Sequence, residues 1–146
     1  MIRRAVVEDV PVIAHMLRLL HEESPQYNEV PIDAEYVTQN LIEMIEREDI
    51  VFLTEPGQGF IIGQVGSTWY DPRPRLVEQL IYCLPVHRGM GGFVRLIKAF
   101  EAAGREAGVS KVIVGVTTGI NTYDLTHAYE RMGYTRIGTL LEKIGG

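Results

Sequence analysis

The segment of this chain best suited to chemistry is a glycine-rich turn between an apolar stretch and an amphipathic helix. It reads Val86-His87-Arg88-Gly89-Met90-Gly91-Gly92-Phe93. The first amides of a helix have no partner within the helix and lie at the positive end of its dipole, so they can bind a phosphate or pyrophosphate. Glycine lets such a ligand approach the backbone closely. The turn is therefore a candidate anion site, although a tight strand-to-helix connection explains the glycines alone equally well.

A helix, a strand and a second motif follow this turn. A helix of about twenty residues is predicted by apolar residues at three- and four-residue spacing, namely Phe93, Leu96, Ile97, Phe100 and Ala103. Gly108 ends this helix, and the β-branched run Lys111–Val116 predicts a short buried strand. The second motif is Ala128-Tyr129-Glu130-Arg131-Met132-Gly133-Tyr134.

This order of elements and motifs resembles the Gcn5-related N-acetyltransferase (GNAT) superfamily, whose members move an acetyl group from acetyl-CoA to an amine. The resemblance runs from about Leu76 to the C-terminus, and Ile2–Ala5 with Asp9 suits the first strand and helix of that fold. It implies an acetyl-CoA-dependent N-acetyltransferase with acetyl-CoA as co-substrate. Its acceptor would be an amine on a small molecule or a protein, and the acceptor's identity does not follow from the fold.

The glycine-rich turn matches the family pattern in one of two registers. In the family the turn reads Arg or Gln, two residues, Gly, one residue, then Gly or Ala. Here Arg88 and Gly91 match, and Phe93 stands at the last small position. A second register places Gly89 and Gly91 on the two small positions but puts Val86 where the family has Arg or Gln. We prefer the first register because it keeps the family's paired apolar helix positions, Leu96 and Ile97.

Phe93 at a usually small position allows two interpretations. Its ring could point into the core while its N–H faces the pyrophosphate, or it could narrow the cofactor groove. We expect the ring to be in the core, because burial is the usual fate of a Phe on the apolar face of a helix.

Acetyl transfer needs a neutral amine, a polarised thioester carbonyl and a proton for the departing thiolate. The resemblance implies that Tyr129 donates this proton. It also makes Glu78, on the strand before the turn, the candidate base, acting directly or through a water. A solvated strand glutamate is an equally open interpretation of Glu78.

The resemblance implies further binding residues. Cofactor contacts are expected from the turn and from two strand residues whose backbone would pair with the pantetheine arm, together with an asparagine near the second motif: Leu84, Val86, Arg88, Gly89, Met90, Gly91, Gly92, Phe93 and Asn121. Acceptor contacts are expected from the loop after the first helix: Glu22, Glu23 and Tyr27.

Composition limits the other function classes. The 146 residues, 46% of them hydrophobic, predict a single domain over 1–146, and the net charge of −5 argues against nucleic-acid binding but suits a cationic substrate. We find no apolar run of transmembrane length and no signal-like segment, so we expect a cytosolic protein without membrane contact. The single cysteine, Cys83, excludes an internal disulfide, and the four scattered histidines do not form a metal motif. The sequence is also compatible with a homodimer.

The pattern of elements predicts a mixed α/β sheet, antiparallel in its first half and partly parallel in its second, with about four helices. Strands are expected at about 2–7, 50–54, 60–70, 76–85 and 135–143, in addition to the Lys111–Val116 run. Helices are expected at about 9–22 and from Asp33 to Glu48, before the helix that follows the turn.

Two alternative functions share features with this sequence. A non-catalytic acyl-CoA-binding or regulatory module with the same fold would bind the cofactor without releasing free CoA thiol in the presence of amines. A phosphate-binding NTPase is excluded, because the turn lacks the Gly-Lys-Ser/Thr ending that places a lysine on phosphates and a hydroxyl on magnesium.

Overall fold

The computed structural model describes residues 1–89 and 91–145. Within these ranges the elements are, in chain order, β1 (Arg3–Arg4), a 3₁₀ turn (Val7–Asp9), α1 (Val10–Glu23), α2 (Ala34–Glu46), β2 (Ile50–Glu55), β3 (Gly59–Gly66), β4 (Arg75–Cys83), α3 (Pro85–Arg88), α4 (Gly92–Glu106), β5 (Val112–Ile113) and α5 (Thr122–Arg131). No helix in the described part of the chain is long and apolar enough to cross a membrane.

The strands form one mixed sheet in the order β1-β2-β3-β4-β5. Neighbours from β1 to β4 are antiparallel, whereas β4 and β5 are parallel. Parallel neighbours need a crossover connection, which α4 supplies. The predicted fold class, antiparallel first and partly parallel afterwards, is confirmed.

Helices cover both faces of the sheet. The apolar stripes of α1 and α2 bury one face, in a cluster that includes Ile13, Met16, Leu20, Leu41, Phe52, Phe60 and Tyr82. The other face is covered by α4 and α5, in a cluster that includes Ile61, Leu76, Cys83, Leu96, Ile97, Phe100 and Tyr129. The three- and four-residue spacing of the buried α4 residues therefore determines which side of α4 meets the sheet.

A β-bulge bends β4 near its middle. Ile62 of β3 pairs with Leu80, but the next residue of β3, Gly63, pairs with Glu78, so Gln79 is the extra residue. A Cβ atom on Gly63 would lie 2.3 Å from Cζ of Phe100. Glycine at this position therefore lets α4 pack closely on the sheet beside the bulge, where bulged strands change direction.

Three strand predictions are wrong in extent. The strand predicted at 60–70 ends at Gly66, and the chain then turns, with the Thr68 amide donating to the carbonyl of Asp71. The strand predicted at 2–7 is only Arg3–Arg4, and the one predicted over Lys111–Val116 is only Val112–Ile113. β3 ends with its last β4 pair, Gly66 with Arg75. After Arg4 the Ala5 amide still donates to the carbonyl of Phe52 on β2, and the 3₁₀ turn then begins at Val7.

The strand predicted at 135–143 is not formed. Residues 135–145 have no regular secondary structure. The aliphatic side chains of Ile137, Leu140, Leu141 and Ile144 are 79–93% exposed. A periodic sequence forms a strand only beside an edge of sufficient length, and β5 offers only two paired residues.

Candidate functional site

The candidate site begins where β4 and β5 separate. The two strands pair only at Leu76 with Val112 and at Val77 with Ile113. Beyond Val77, β4 continues to Cys83 without a parallel partner in the described part of the chain. We call the space between this half of β4 and the chain after Ile113 the β4–β5 cleft. The cleft leaves backbone groups on one edge of β4 available for an extended ligand.

The chain after β5 crosses to the end of α1 and limits the cleft. The buried hydroxyl of Ser24 donates to the carbonyl of Thr118. Gly119 has a left-handed φ of 75°, and a Cβ there would lie 2.9 Å from Cγ of Pro25. The loop after α1 and the loop before α5 are therefore held together at this point.

Glu78 is the first residue of β4 past the last β5 pair. Leu76, two residues earlier, belongs to the α4-side cluster, so strand alternation places Glu78 on that same face. The carboxyl group is partly buried, and in the part of the chain that the structure describes it makes no hydrogen bond. Burial raises the pKa of Glu78 to about 8. A carboxyl with such a pKa can act as a base near neutral pH.

Tyr129 lies on α5 close enough to Glu78 for their charges to interact. Only 4% of the residue is exposed, and its hydroxyl is buried without a hydrogen-bond partner among the described residues. Burial, followed by the charge of Glu78, raises the pKa of the phenol. A buried hydroxyl without a partner is costly, so its presence calls for an explanation such as an absent ligand or a catalytic role.

Aromatic rings enclose Tyr129. The ring of Phe93 lies edge-on at 5.0 Å between centroids, and that of Tyr134 lies edge-on at 5.4 Å. The Tyr134 hydroxyl in turn donates to Glu101 at 2.8 Å. Phe93 therefore packs with the α4-side cluster, as expected for the core orientation of its ring.

The glycine-rich turn forms the N-terminus of α4. Gly91 is the N-cap with a left-handed φ of 79°, and it provides no side chain to cap the first turn of the helix. A Cβ on Gly92 would lie 3.0 Å from the carbonyl oxygen of His87. The turn thus presents backbone amides at a helix N-terminus, the arrangement that binds anions. Gly89 lies at the end of α3, and Met90, also expected to bind the cofactor, lies outside the described residues.

The strand predicted at 76–85 ends two residues early, so Leu84 and Val86, whose backbone was expected to pair with the cofactor as in a strand, lie outside it. β4 ends at Cys83, and Pro85 begins α3, a position that suits its fixed φ and missing N–H. Val86 is therefore helical, and the Leu84 amide already donates to the carbonyl of Gln58 at 3.0 Å. The edge of β4 that has no parallel partner among the described residues lies earlier, from Glu78 to Cys83, along the cleft.

The other predicted residues are dispersed. Glu23, the last residue of α1, forms an ion pair with Arg88 of the turn, and the exposed Glu22 precedes it in the helix. Tyr27 is partly buried and packs against the α1-side cluster. Asn121 is the N-cap of α5 in a left-handed conformation with φ of 48°. Such a conformation is uncommon outside glycine and is frequent at functional positions.

Sequence reasoning missed Arg95 beside the turn. A Cβ on Gly91 would lie 3.4 Å from its Nη1 atom, and its guanidinium binds the buried Glu55 through bonds of 3.1 and 3.2 Å. A signal was available, because a basic residue in the first turn of a helix opposes the helix dipole. That placement indicates a local partner or a ligand with negative charge.

Several solved structures, two acetyltransferases among them, share this fold. An aminoglycoside acetyltransferase from an uncultured soil metagenomic sample has a TM-score of 0.73 and 17% identity over 100% of this chain and 97% of that chain. A ribosomal-protein-alanine N-acetyltransferase from Brucella melitensis has a TM-score of 0.73 and 16% identity, covering 99% of both chains. A transcriptional regulator from Bacillus halodurans has a TM-score of 0.81 and 15% identity, again covering 99% of both. Such identities support a shared fold alone.

A comparison of the sequence with curated proteins gave no significant match. A family model, that of the acetyltransferase (GNAT) family, matches residues 15–134. The match includes the glycine-rich turn, both cleft strands and Tyr129, and it covers most of the chain. This chain therefore belongs to the acetyltransferase (GNAT) family.

Proposed function

We propose that this protein transfers the acetyl group of acetyl-CoA to a primary amine by direct attack in a ternary complex. Family membership supports acetyl transfer in general. The observation that carries the finer proposal is the buried hydroxyl of Tyr129, which has no hydrogen-bond partner among the described residues and lies close enough to Glu78 for their charges to interact. Amide formation from a thioester needs a base for the amine proton and a proton donor for the leaving thiolate. A carboxylate with a raised pKa and a hydroxyl on one face of the sheet can fill these two roles.

The proposed roles follow from position. The amides at the start of α4 bind the pyrophosphate, and the free edge of β4 accompanies the pantetheine arm toward the bulge. The amine nitrogen attacks the thioester carbonyl, and the C–S bond breaks as the C–N bond forms. Glu78 takes the proton of the amine directly or through a water, and Tyr129 gives its proton to the departing thiolate.

Binding of the cofactor can be tested by thermal shift. A ligand that binds only the native state raises the melting temperature with the logarithm of its excess over Kd. We therefore expect acetyl-CoA to raise the Tm of this protein progressively, and candidate amines to raise it further only when a CoA ligand is present. An unchanged Tm at millimolar acetyl-CoA would contradict the proposed cofactor.

Replacing Glu78 by Gln is expected to change the pH profile of kcat/KM. With a pKa of about 8, Glu78 is mostly protonated at neutral pH. We therefore expect kcat/KM of the wild type to rise about tenfold per pH unit below this pKa and to level off above it. In the variant the amine must lose its proton to solvent instead, and a lysine-like acceptor has a pKa of about 10. We expect a loss of about 30-fold near neutral pH that shrinks to within about threefold at pH 10.

The Glu78 prediction is checked by measuring kcat/KM of both proteins from about pH 6 to 10 with one acceptor. The carboxamide preserves the size of the side chain, so comparison of the two melting temperatures controls for folding. If the ratio of the two kcat/KM values stays constant across this pH range, Glu78 takes no part in proton transfer.

One observation favours a second candidate, a non-catalytic acyl-CoA-binding module. Phe93 contacts Tyr129, and the Tyr129 hydroxyl has no exposed surface through which a thiolate could approach in this conformation. Under this alternative, acetyl-CoA binds and no amine in a broad panel causes release of free CoA thiol.

Replacing Phe93 by Ala separates packing from cofactor contact. Because the ring is partly buried on Tyr129, its loss is expected to destabilise the fold by about 2 kcal/mol, less than the cost at a fully buried position. We expect the Kd for acetyl-CoA to change by less than about threefold. Unfolding and titration calorimetry check both values. A clear gain in affinity would instead mean that Phe93 narrows the groove.

A further inference from the structure

Arg88 and Glu23 form a bidentate ion pair beside the glycine-rich turn. The terminal nitrogens of Arg88 donate to the two carboxylate oxygens of Glu23 at 2.7 and 2.8 Å. Its Nε donates to the carbonyl oxygen of Cys83 at 2.9 Å, and the guanidinium lies 5.3 Å from the ring centroid of Tyr82. Arg88 is therefore held against β4 and α1, although it belongs to the turn that is proposed to bind pyrophosphate.

The position of Glu23 is unfavourable for its own helix. It is the last residue of α1, where the helix dipole is negative and disfavours a carboxylate. Its partner compensates, since hydrogen bonds from Arg88 are the main cause of the lowered pKa of Glu23. Glu23 thus neutralises a cation at the edge of an anion site.

The pair is suited to exchange. The Arg88 and Glu23 side chains are 27% and 32% exposed, so a ligand from solvent can reach both partners. A phosphate group offers arginine the same bidentate oxygen geometry with more negative charge. A cofactor phosphate at the turn can therefore compete with the Glu23 carboxylate for Arg88.

We propose that Glu23 is a counterion that the phosphate groups of acetyl-CoA displace from Arg88, and that the released carboxylate then binds a cationic acceptor. The inference rests on the proposed function. Glu23 adjoins the loop that begins at Ser24, which is joined through Thr118 to the loop before α5. The cofactor therefore binds first, and it frees a negative charge on the side where the amine arrives.

The test is calorimetric titration of acetyl-CoA into the wild type and variants. Glu23→Gln removes the competitor while keeping the side-chain size, so acetyl-CoA is expected to bind about fivefold more tightly. Glu22→Gln makes the same change of charge one residue away, where no contact with Arg88 exists, and should alter Kd by less than about twofold. Arg88→Gln should weaken binding about tenfold.

A double variant tests whether the effect passes through Arg88. In the Arg88→Gln background, adding Glu23→Gln should give no gain in affinity for acetyl-CoA, because there is no guanidinium for which Glu23 and the phosphate compete. The proposal is overturned if Glu23→Gln binds acetyl-CoA no more tightly than Glu22→Gln, or if its gain persists without Arg88. If Arg88→Gln does not fold, the comparison of the two glutamate variants decides. A wild type that does not bind acetyl-CoA contradicts the proposed function itself.

Discussion

Replacing Gly91 by Asp is expected to lower the affinity for acetyl-CoA by at least about 100-fold, close to 2.7 kcal/mol of binding free energy. Gly91 is the N-cap of α4, so the new carboxylate would lie beside the helix amides that are proposed to hold the pyrophosphate. It would both occupy those donors and repel the phosphate charge. Titration calorimetry of acetyl-CoA measures the loss.

Gly91→Asn is the matched control for that substitution. Asn and Asp have nearly the same shape, and both tolerate the left-handed conformation that Gly91 adopts, with φ of 79°. We expect both variants to fold, with Asn losing clearly less affinity than Asp because it lacks the charge. Equal binding by Gly91→Asp and the wild type would show that the pyrophosphate does not bind at this turn.

Replacing Tyr129 by Phe is expected to lower kcat by about 100-fold or more, the usual contribution of a positioned acid. The ring and its contacts with Phe93 and Tyr134 remain, so the Kd for acetyl-CoA should be nearly unchanged. Steady-state kinetics with a true acceptor, combined with titration of the cofactor, separates these two effects.

Although it lowers activity, Tyr129→Phe is expected to make the folded protein more stable. The Tyr129 hydroxyl is buried without a partner among the described residues, so removing it should raise the free energy of unfolding by about 1 kcal/mol. A more stable and much less active variant would indicate that the hydroxyl is retained for function. Unchanged kcat in Tyr129→Phe, with chemistry limiting turnover, would exclude its role as the proton donor.

The elements around the site were largely predictable because their signals are local. The spacing of apolar residues from Phe93 to Phe100 determines a helix, and glycine at position 91 permits the left-handed conformation that begins it. The parallel pairing of β4 with β5 follows from the helix between them. These patterns depend on residues that are close together in the chain, so they can be recognised in the sequence without knowledge of distant contacts.

Features that depend on distant contacts were not predictable. The bulge at Gln79 arises from the register between β3 and β4, and register depends on both strands. Arg88 and Glu23 are far apart in sequence, so their pairing left only one weak sign, an acid at a helix C-terminus. The segment 135–143 has a strand-like sequence and no strand in the structure. Strand formation depends on a partner strand elsewhere in the chain, which the sequence of the segment itself does not determine.

The most direct test of the central claim is release of free CoA thiol from acetyl-CoA in the presence of a broad panel of primary amines. We expect at least one amine, and a cationic one before a neutral one, to give thiol release with an equal amount of acetylated amine by mass spectrometry. Tyr129→Phe should reduce that rate about 100-fold at unchanged cofactor affinity. Tight binding of acetyl-CoA with no thiol released for any amine would contradict the proposed acetyl transfer and indicate a binding module instead.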